Sequence, residues 1–374
     1  MKRQLRWYVR TMQSIGIVIL LFISLWPRTG EAQKDTRTKW EELVQAARKE
    51  GRVTIASAAS ERYHQALVTG FQKAYPGIEV DRSGLQSREV LPRITQERKA
   101  GLFLWDFRIG GPTSMMVGLR PLGALAAIKP LLVLPGILDD SKWDGGFDAG
   151  FADKEKRCCY MFSRKVSPTI NVNRDVIPLG DFESAKDLLN PKFAGKIAWH
   201  DPRGEGAGLN SAMLFMMGYG EDFLRKLFFQ QKIAYFQNRR QLAEAVVQGQ
   251  YPIGIGGDAE IKSLRAKGAG KNVHPIEEGK LGSLGNLSVG DGALALFDPA
   301  PHPNAAKVYL NWLLSREGQD AWVRGTDLNS RRLDVPSNPD DAPKPGNKYL
   351  ITATEDLVPQ REHARKLAEQ LLPR

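Results

Sequence analysis

The chain has 374 residues, 42% of them hydrophobic, which is enough to bury two medium-sized cores. Its formal charge is +11 at pH 7, but the basic residues are spread out, without basic blocks or interleaved aromatic residues. This argues against nucleic-acid binding and favours contact with small anions or a membrane surface. The histidines share no metal-ligand spacing, and P-loop, Gly-x-Ser-x-Gly and paired-cysteine zinc motifs are missing from the sequence. We therefore expect no metal site, no cofactor and no enzyme activity.

The first 32 residues have the pattern of a secretory signal peptide. Basic residues open the chain, an apolar run follows from Ile15 to Trp26, and small residues stand at Gly30 and Ala32. An uncleaved membrane anchor is the alternative, but the apolar run is shorter than the ~20 residues that span a bilayer. We therefore expect cleavage near Ala32 and export of the remaining chain to the periplasm.

The two cysteines, Cys158 and Cys159, are adjacent. A disulfide between neighbours closes a strained ring and cannot cross-link distant parts of the fold. The sequence leaves two states open, a pair of buried thiols or a vicinal disulfide.

Residues 40–113 alternate between helical and strand patterns. Apolar residues at helical spacing predict the helices, and short β-branched runs predict the strands between them. The predicted elements are a helix at Trp40–Glu50, a strand at Arg52–Ile55, a helix at Glu61–Tyr75, a strand at Ile78–Val80, a helix at Arg88–Ala100 and a strand at Trp105–Ile109. This alternation indicates a parallel sheet, whose ligand sites lie at the carboxyl ends of the strands.

The middle and the end of the chain predict a second lobe. Residues 119–153 are dense in Pro and Gly, which predicts irregular surface structure. The extended run Ser167–Asn173 then carries the chain into the second lobe, and Gly285–Phe297 carries it back. The further predicted elements are helices at Leu209–Gly218, Glu221–Gln230, Arg240–Gln248, Pro303–Leu314, Arg316–Trp322 and Arg361–Leu372, and a strand at Pro252–Ile255.

The stretch Asp187–Gly208 predicts a ligand-binding loop. It contains a turn, a short strand at Lys196–Trp199 and a polar, glycine-rich loop that opens the helix at Leu209. A strand, a loop and a helix N-terminus in this order place backbone N–H groups and a positive helix end around a ligand.

Six short segments, in order along the chain, carry a family resemblance. They are Val53–Ser57, Phe71–Val80, Ser167–Asn173, Asp187–Ile197, Pro303–Lys307 and Ser315–Gln319. Together with the signal peptide they resemble the extracellular solute-binding proteins of bacterial ABC importers, in the ferric-ion-type branch of family 1.

The resemblance implies an α/β protein with the two-lobed periplasmic binding protein-like type II fold. Each lobe would be a mixed sheet flanked by helices, and crossing strands would form a hinge that closes on a ligand. We expect lobe 1 to contain residues 33–166 and 287–335, and lobe 2 residues 167–286 and 336–374. The implied function is capture of a small polar or anionic solute by a monomer and its delivery to the membrane permease of an ABC importer.

The loop after the predicted strand at Pro252–Ile255 departs from the iron-binding members of the family. Those members have two adjacent tyrosines there, whereas residues 256–260 of this chain are Gly-Gly-Asp-Ala-Glu. A direct ferric site would lose its phenolate ligands, although Asp258 and Glu260 could supply carboxylate oxygens. Binding of ferric iron or an iron chelate therefore stays as an alternative. A secreted hydrolase or transferase on an α/β scaffold is another.

The predicted ligand contacts lie in the polar loops of both lobes. Hydroxyl and amide side chains suit a polar solute, and Arg203 can hold a carboxylate or phosphate through two hydrogen bonds. Each residue also has a structural alternative, since serines cap helices, glycines form turns and Arg203 can pair with a nearby acid. The candidate residues are Ser57, Ser60, Ser83, Gln86, Gly110, Gly111, Thr113, Arg203, Glu205, Asp258 and Glu260.

Overall fold

The structure is a computed structural model, and it describes residues 29–58, 61–85, 87–279, 284–326 and 328–372. Most of the predicted signal peptide lies outside these residues, as do the candidate contacts Ser60 and Gln86. No helix in the described ranges combines the length and the apolar character needed to cross a membrane.

The described chain contains both strands and helices throughout. The strands are β1 (Arg52–Ser57), β2 (Glu79–Gly84), β3 (Phe107–Gly110), β4 (Tyr160–Met161), β5 (Ser163–Val166), β6 (Ile170–Asn173), β7 (Ile197–His200), β8 (Ala234–Phe236), β9 (Ile253–Ile255), β10 (Val273–Pro275), β11 (Gly285–Ser288), β12 (Ala293–Leu296), β13 (Asn329–Ser330) and β14 (Tyr349–Leu350). The helices are α1 (Thr29–Glu50), α2 (61–74, π-helical over Gln65–Thr69), α3 (Ser87–Lys99), α4 (112–119, π-helical over Met115–Leu119), α5 (Ala207–Tyr219), α6 (Glu221–Gln230), α7 (Arg239–Val247), α8 (Asp258–Ala266), α9 (Pro303–Leu314), α10 (Arg316–Thr326) and α11 (Val358–Leu371).

Lobe 1 is built on a five-stranded sheet in the order β2-β1-β3-β12-β4. β1, β2 and β3 are parallel, whereas β12 runs antiparallel to both β3 and β4. Helices cover both faces of this sheet, which explains why every residue of β1 after Arg52 is buried. On one face, Phe71 of α2 packs against Tyr309 and Trp312 of α9, with ring centroids 4.8 and 5.3 Å away.

The Pro- and Gly-rich residues 119–153 form short turns, but the expectation of surface structure is wrong for their aromatic side chains. Trp143, Phe147 and Phe151 are buried in the lobe 1 core. Phe147 stacks on Tyr160 of β4, with ring centroids 4.5 Å apart. The segment lacks long helices because of its Pro and Gly content, and its aromatic residues still contribute apolar area to the core.

Lobe 2 is built on a second five-stranded sheet in the order β10-β6-β9-β7-β8. β7 is parallel to β8 and β9, and β6 is antiparallel to β9 and β10. Trp199 of β7 is fully buried between Phe215 of α5 and Phe228 of α6. The two mixed sheets flanked by helices agree with the two-lobed α/β fold expected from the sequence.

A third, four-stranded sheet in the order β13-β5-β11-β14 lies where the chain passes between the lobes. β5 leads into β6 of lobe 2 through residues 167–169, and β11 of this sheet leads into β12 of lobe 1. Residues 336–372 contact both lobes, since Glu355 pairs with Arg120 of lobe 1 and Arg361 of α11 pairs with Glu205 of lobe 2. The lobe boundaries expected from the sequence stay a prediction.

The stretch Asp187–Gly208 forms a short 3-10 turn at Pro191–Phe193, then β7, and then a loop that enters α5. Gly208 lies so close to the end of β7 that a Cβ atom there would stand 1.7 Å from the carbonyl oxygen of His200. Only glycine permits this approach of the helix to the strand.

We expect Gly208→Ala to lower the free energy of unfolding by about 3 kcal/mol or more, because the new methyl group would collide with backbone. The matched control is Gly204→Ala in the same loop, where a Cβ atom would meet nothing within 4 Å. That control should change stability by about 0.5 kcal/mol or less. Urea unfolding of both variants checks the prediction, and equal stability of the two would contradict it.

Candidate functional site

A cavity of about 670 Å³ lies between the two lobes. It is bounded by the carboxyl end of β1 in lobe 1, by the carboxyl ends of β7 and β9 in lobe 2, and by the hinge. Its lining residues are Ala58, Arg62, Tyr63, Lys165, Ser167, Pro168, Thr169, Gly206, Ala207, Asn210, Ser211, Arg239, Gly256, Asp258, Ala259, Glu260, Asn286, Ser288, Gly290, Asp291, Thr326 and Leu328. The lining is mostly polar, as expected of a site for a hydrophilic solute.

The N-termini of two lobe 2 helices, α5 and α8, face this cavity. Gly206 and Gly257 are the N-cap residues of these helices, so neither N-cap residue supplies a side-chain cap. In the first turn of α5 the backbone N–H of Gly208 donates to Nδ1 of His200 at 3.2 Å. The first turn of a helix carries N–H groups without intrahelical acceptors and a partial positive charge. Two glycine-capped N-termini at one cavity therefore offer backbone donors to an anion.

The loops before these helices depend on backbone conformations that favour glycine. Gly206 has φ +133° and Gly256 has φ +88°. A Cβ atom at Gly256 would stand 3.2 Å from the side chains of His200 and Ala207, so the end of β9 and the start of α5 are in close contact. The loops thus bring both helix N-termini to the same end of the sheet.

Three basic side chains line the cavity, and they differ in how they are paired. Arg239 forms an ion pair with Glu260, with an Nε to Oε1 distance of 3.1 Å. The Nη1 of Arg62 is 3.5 Å from the carbonyl oxygen of Thr326. Lys165, on the hinge strand β5, is half-buried and forms no ion pair with any carboxylate of the described residues. Lys165 interacts electrostatically with Asp258 without forming an ion pair, so it is the least committed of the three basic side chains of the cavity.

The acidic side chains of the cavity have partners of their own. Asp258 lies 3.5 Å from the Nζ of Lys262, and burial raises the pKa of its carboxyl group. Asp291 accepts a hydrogen bond of 2.9 Å from the hydroxyl group of Tyr63. Burial raises the pKa of Tyr63, so the phenol stays protonated as the donor.

Glu278 lies at the hinge end of the cavity and is nearly fully buried. Its carboxylate accepts hydrogen bonds from the backbone N–H groups of Thr169 and Ile170, at 3.0 and 3.2 Å, and from the Thr169 hydroxyl group. Thr169 itself lines the cavity, and its carbonyl oxygen accepts the N–H of Gly256. Burial raises the pKa of Glu278 to about 7 despite these hydrogen bonds.

Of the candidate contacts from the sequence, Asp258 and Glu260 line the cavity. Arg203 and Glu205 do not. Arg203 donates from Nε and from its backbone N–H to Asp201, each at 2.9 Å. These hydrogen bonds stabilise the loop that contains both residues. Glu205 pairs with Arg361 and Arg365 of α11 instead of with Arg203. Both residues have structural partners here, and their contact with a ligand stays a prediction.

The described lobe 1 candidates lie outside the lining of the cavity. Ser57 is buried, and its Oγ accepts a hydrogen bond of 2.9 Å from Arg82. Ser83 is half-buried on β2, Gly110 ends β3, Gly111 is the N-cap of the short helical segment that starts at Pro112, and Thr113 follows. Ser60 and Gln86 lie outside the described residues. Ligand contact by any of them stays a prediction.

Sequence reasoning missed the cavity residues Tyr63, Lys165, Thr169, Arg239 and Asp291. Lys165 lies two residues before the run Ser167–Asn173 and Thr169 lies within it, and the sequence did predict this run as a passage between lobes. Because crossing strands border the cleft in a two-lobed fold, this position was a usable signal. The other three depend on tertiary packing that the sequence does not display.

Within the described ranges, one group of three Asp, Glu, His or Cys residues has ligand atoms within 4.8 Å of one another: Asp153, Cys158 and Cys159. This group is buried in lobe 1 and lies outside the cleft lining. Both thiols are free, with their Sγ atoms 3.9 Å apart. Asp153 accepts the N–H groups of Arg157 and Cys159, at 2.7 and 2.9 Å, so its carboxylate already orders the loop.

Comparison with known proteins identifies the family. The sequence profile of the bacterial extracellular solute-binding proteins matches residues 137–325, which is half of the chain. The chain belongs to this family. A curated relative, an uncharacterised protein of Haemophilus influenzae, is 28% identical over 148 residues. That match covers 38% of this chain and 40% of the length of the relative.

Solved structures share the fold of this solute-binding protein over most of its length. Iron-bound HitA from Pseudomonas aeruginosa has a TM-score of 0.63 at 18% identity, covering 86% of this chain and 99% of that chain. A Trichodesmium protein (IdiA, FutA) in complex with iron and citrate has a TM-score of 0.66 at 17% identity, with the same coverage. A Bordetella ferric binding protein has a TM-score of 0.65 at 16% identity, covering 86% and 98%. At these identities the likeness shows the fold alone. The family and these neighbours are binding proteins.

Glu278 predicts a pH dependence of stability. Its pKa of about 7 in the folded protein lies above the usual 4.5. Its contribution to the free energy of unfolding is therefore fully present below about pH 4.5 and is lost as the pH rises through about 7. We expect the wild type to lose up to about 3 kcal/mol relative to Glu278→Gln across this window.

Urea unfolding at pH 5 and pH 8 measures the difference. Glu277→Gln, in the exposed neighbouring position, controls for the loss of one charge. If the stability difference between wild type and Glu278→Gln is the same at both pH values, the raised pKa is wrong.

Proposed function

We propose that this protein is an exported binding component of an ABC importer that captures a small anion with carboxylate or phosphate groups. The observation that carries the proposal is the combination of two glycine-capped helix N-termini and the unpaired Lys165 at one interlobe cavity. The carboxylates of the same cavity each have a basic or hydroxyl partner. An incoming anion would therefore find donors that the protein uses only in part: the N–H of Gly208 donates to His200, whereas Lys165 forms no ion pair with any carboxylate of the described residues.

Binding would follow from the two-lobed architecture. The N–H groups of α5 and α8 would hold the anion on the lobe 2 side, and Lys165 would reach it from the hinge. Arg62 and Tyr63 of α2 would then contact it from lobe 1 as the lobes close. The closed form would present surfaces of both lobes to the permease in the periplasm.

A bare ferric ion is a weaker candidate. The loop at residues 256–260 contains no tyrosine, and Tyr63, the tyrosine of the cavity lining, is a protonated donor to Asp291. In the described ranges the carboxylates of the cavity do not form a group of three with ligand atoms within 4.8 Å. Ferric iron prefers hard anionic ligands that converge on one point.

An iron chelate is a different case, because its outer surface is anionic. The Trichodesmium neighbour was solved with iron and citrate, which shows that a protein of this fold holds both together. A ferric carboxylate complex would use the same helix N-termini and Lys165 as a free carboxylate. Ferric citrate is therefore tested beside citrate.

A thermal-shift and calorimetry screen tests the proposal. We expect citrate, ferric citrate, inorganic phosphate, a phosphonate or a sugar phosphate to raise the melting temperature and to bind with one site per chain, without chemical conversion. Thiamine and a polyamine serve as cationic controls. Stabilisation by ferric iron alone, with a visible absorbance band, would favour a direct iron site. No shift with any anion would contradict the proposal, and conversion of a bound compound would favour a hydrolase or transferase.

Lys165 supplies a second test. We expect Lys165→Gln to weaken binding of the anion found in the screen roughly tenfold, because a hydrogen bond to a charged group contributes about 1.5–3 kcal/mol. Lys186→Gln removes the same charge from an exposed position outside the cavity and should bind like the wild type. Calorimetric titration compares the two variants, and equal affinities would rule out a role for Lys165.

A further inference from the structure

Arg108 is a fully buried arginine on β3, the central strand of the lobe 1 sheet. It lies near the carboxyl ends of β1, β2 and β3, which face the cleft. β12 begins at Ala293, which pairs with Gly110 at the end of β3. The loop before β12 therefore leaves the sheet at this edge, and its Gly290 and Asp291 line the cavity. The Arg108 side chain folds over Gly110, where a Cβ atom would stand 2.5 Å from the guanidinium Nη2.

No carboxylate of the described residues forms an ion pair with Arg108. Its Nη1 donates to the carbonyl oxygens of Ala56 and Ile109, both at 3.0 Å. Its Nε and Nη2 are buried and have no hydrogen-bond partner in the described part of the chain. Burial lowers the pKa to about 10, and Asp291 opposes this only in part. The side chain is still charged at neutral pH, so this site holds a positive charge without a paired counter-charge.

The other deeply buried arginines are all better satisfied. Arg332 pairs with Asp334, and Arg361 pairs with Glu205. Arg331 forms no ion pair with a carboxylate of the described residues, but its two terminal nitrogens donate to three backbone carbonyl groups. A buried charge without such partners is strongly unfavourable, and it calls for a functional explanation.

Arg82 lies at the same edge of the sheet. Its Nη1 donates to the Ser57 hydroxyl group at 2.9 Å and to the carbonyl oxygen of Ala58 at 3.0 Å. Ala58 lines the cavity, and the Nε of Arg82 is buried without a hydrogen-bond partner in the described residues. Two guanidinium groups therefore lie at the carboxyl ends of β1, β2 and β3, beside the cleft.

We propose that Arg108 is the fixed positive charge on the lobe 1 side of the cleft, and that a bound anion supplies its counter-charge. The inference rests on the proposed function and adds a preference for multiply charged anions. Arg108 acts as a positioning residue, because its charge reaches the solute through a medium of low dielectric constant without contact. Asp291 lies at the same edge and reduces this field, whereas Arg82 and Lys165 add to it.

Arg108→Met tests the proposal, with Arg331→Met as the matched control for a buried arginine. We expect Arg108→Met to melt at the same temperature as the wild type or higher, because an unpaired buried charge is removed. Its affinity for citrate and inorganic phosphate should fall about tenfold, and its affinity for singly charged acetate should fall less. Arg331→Met should melt lower and bind the same probes like the wild type.

Three results would overturn the inference. Arg108→Met that fails to fold or melts below the wild type would show that the guanidinium is structural. Unchanged binding of citrate and phosphate would show that its charge does not reach the solute, and equal losses for acetate would remove the preference for multiple charges. A wild type that binds neither citrate nor phosphate contradicts the proposed function itself, whereas tight wild-type binding with an unaffected variant overturns this inference alone.

Discussion

The direction of the parallel strands is the constraint on which the site depends. In lobe 1 the strands β1, β2 and β3 end at one edge, and in lobe 2 the strands β7 and β9 end at another. The hinge holds these two edges on opposite sides of one cavity. Helices that follow the lobe 2 strands must begin there, so the N-termini of α5 and α8 face the cavity. The chemistry of the cleft is thus a consequence of topology first and of side chains second.

Charge pairing inside the cleft supports the anionic solute that we propose. Glu260 is paired with Arg239, Asp258 lies near Lys262, and Asp291 accepts the phenol of Tyr63. Each acid is thereby partly neutralised inside the protein. The first turn of α8 carries Asp258 and Glu260, and both of these acids have basic partners. Lys165 forms no ion pair with any carboxylate of the described residues, which supports the anion that we propose although acidic residues line the cavity. A count of charged residues alone would not have revealed this.

The order and type of most elements could be predicted from the sequence, because helical spacing and short β-branched runs are local signals. The helix at Pro303–Leu314, for example, has the predicted bounds. The burial of Trp143 in a segment rich in Pro and Gly could not be predicted from the sequence, because only tertiary packing determines it. The loop at Asp187–Gly208 was predicted as strand, loop and helix start, and its helix does face the cavity. Arg203 forms an ion pair with Asp201, two residues away, and the sequence does not indicate whether Arg203 pairs with a neighbouring acid or contacts a ligand.

Residues 336–372 give the two-lobed molecule a third connection besides the strands that cross at Val166–Ser167 and near Gly285. β14 pairs with β11 at the edge of the hinge sheet, and Glu355 forms an ion pair with Arg120 of lobe 1. Arg361 of α11 forms an ion pair with Glu205 of lobe 2. Two strands side by side can bend and can also twist about each other. A third link between the lobes restricts such twisting. We therefore expect the lobes to close mainly by hinge bending, so that the same two edges meet each time the cleft closes.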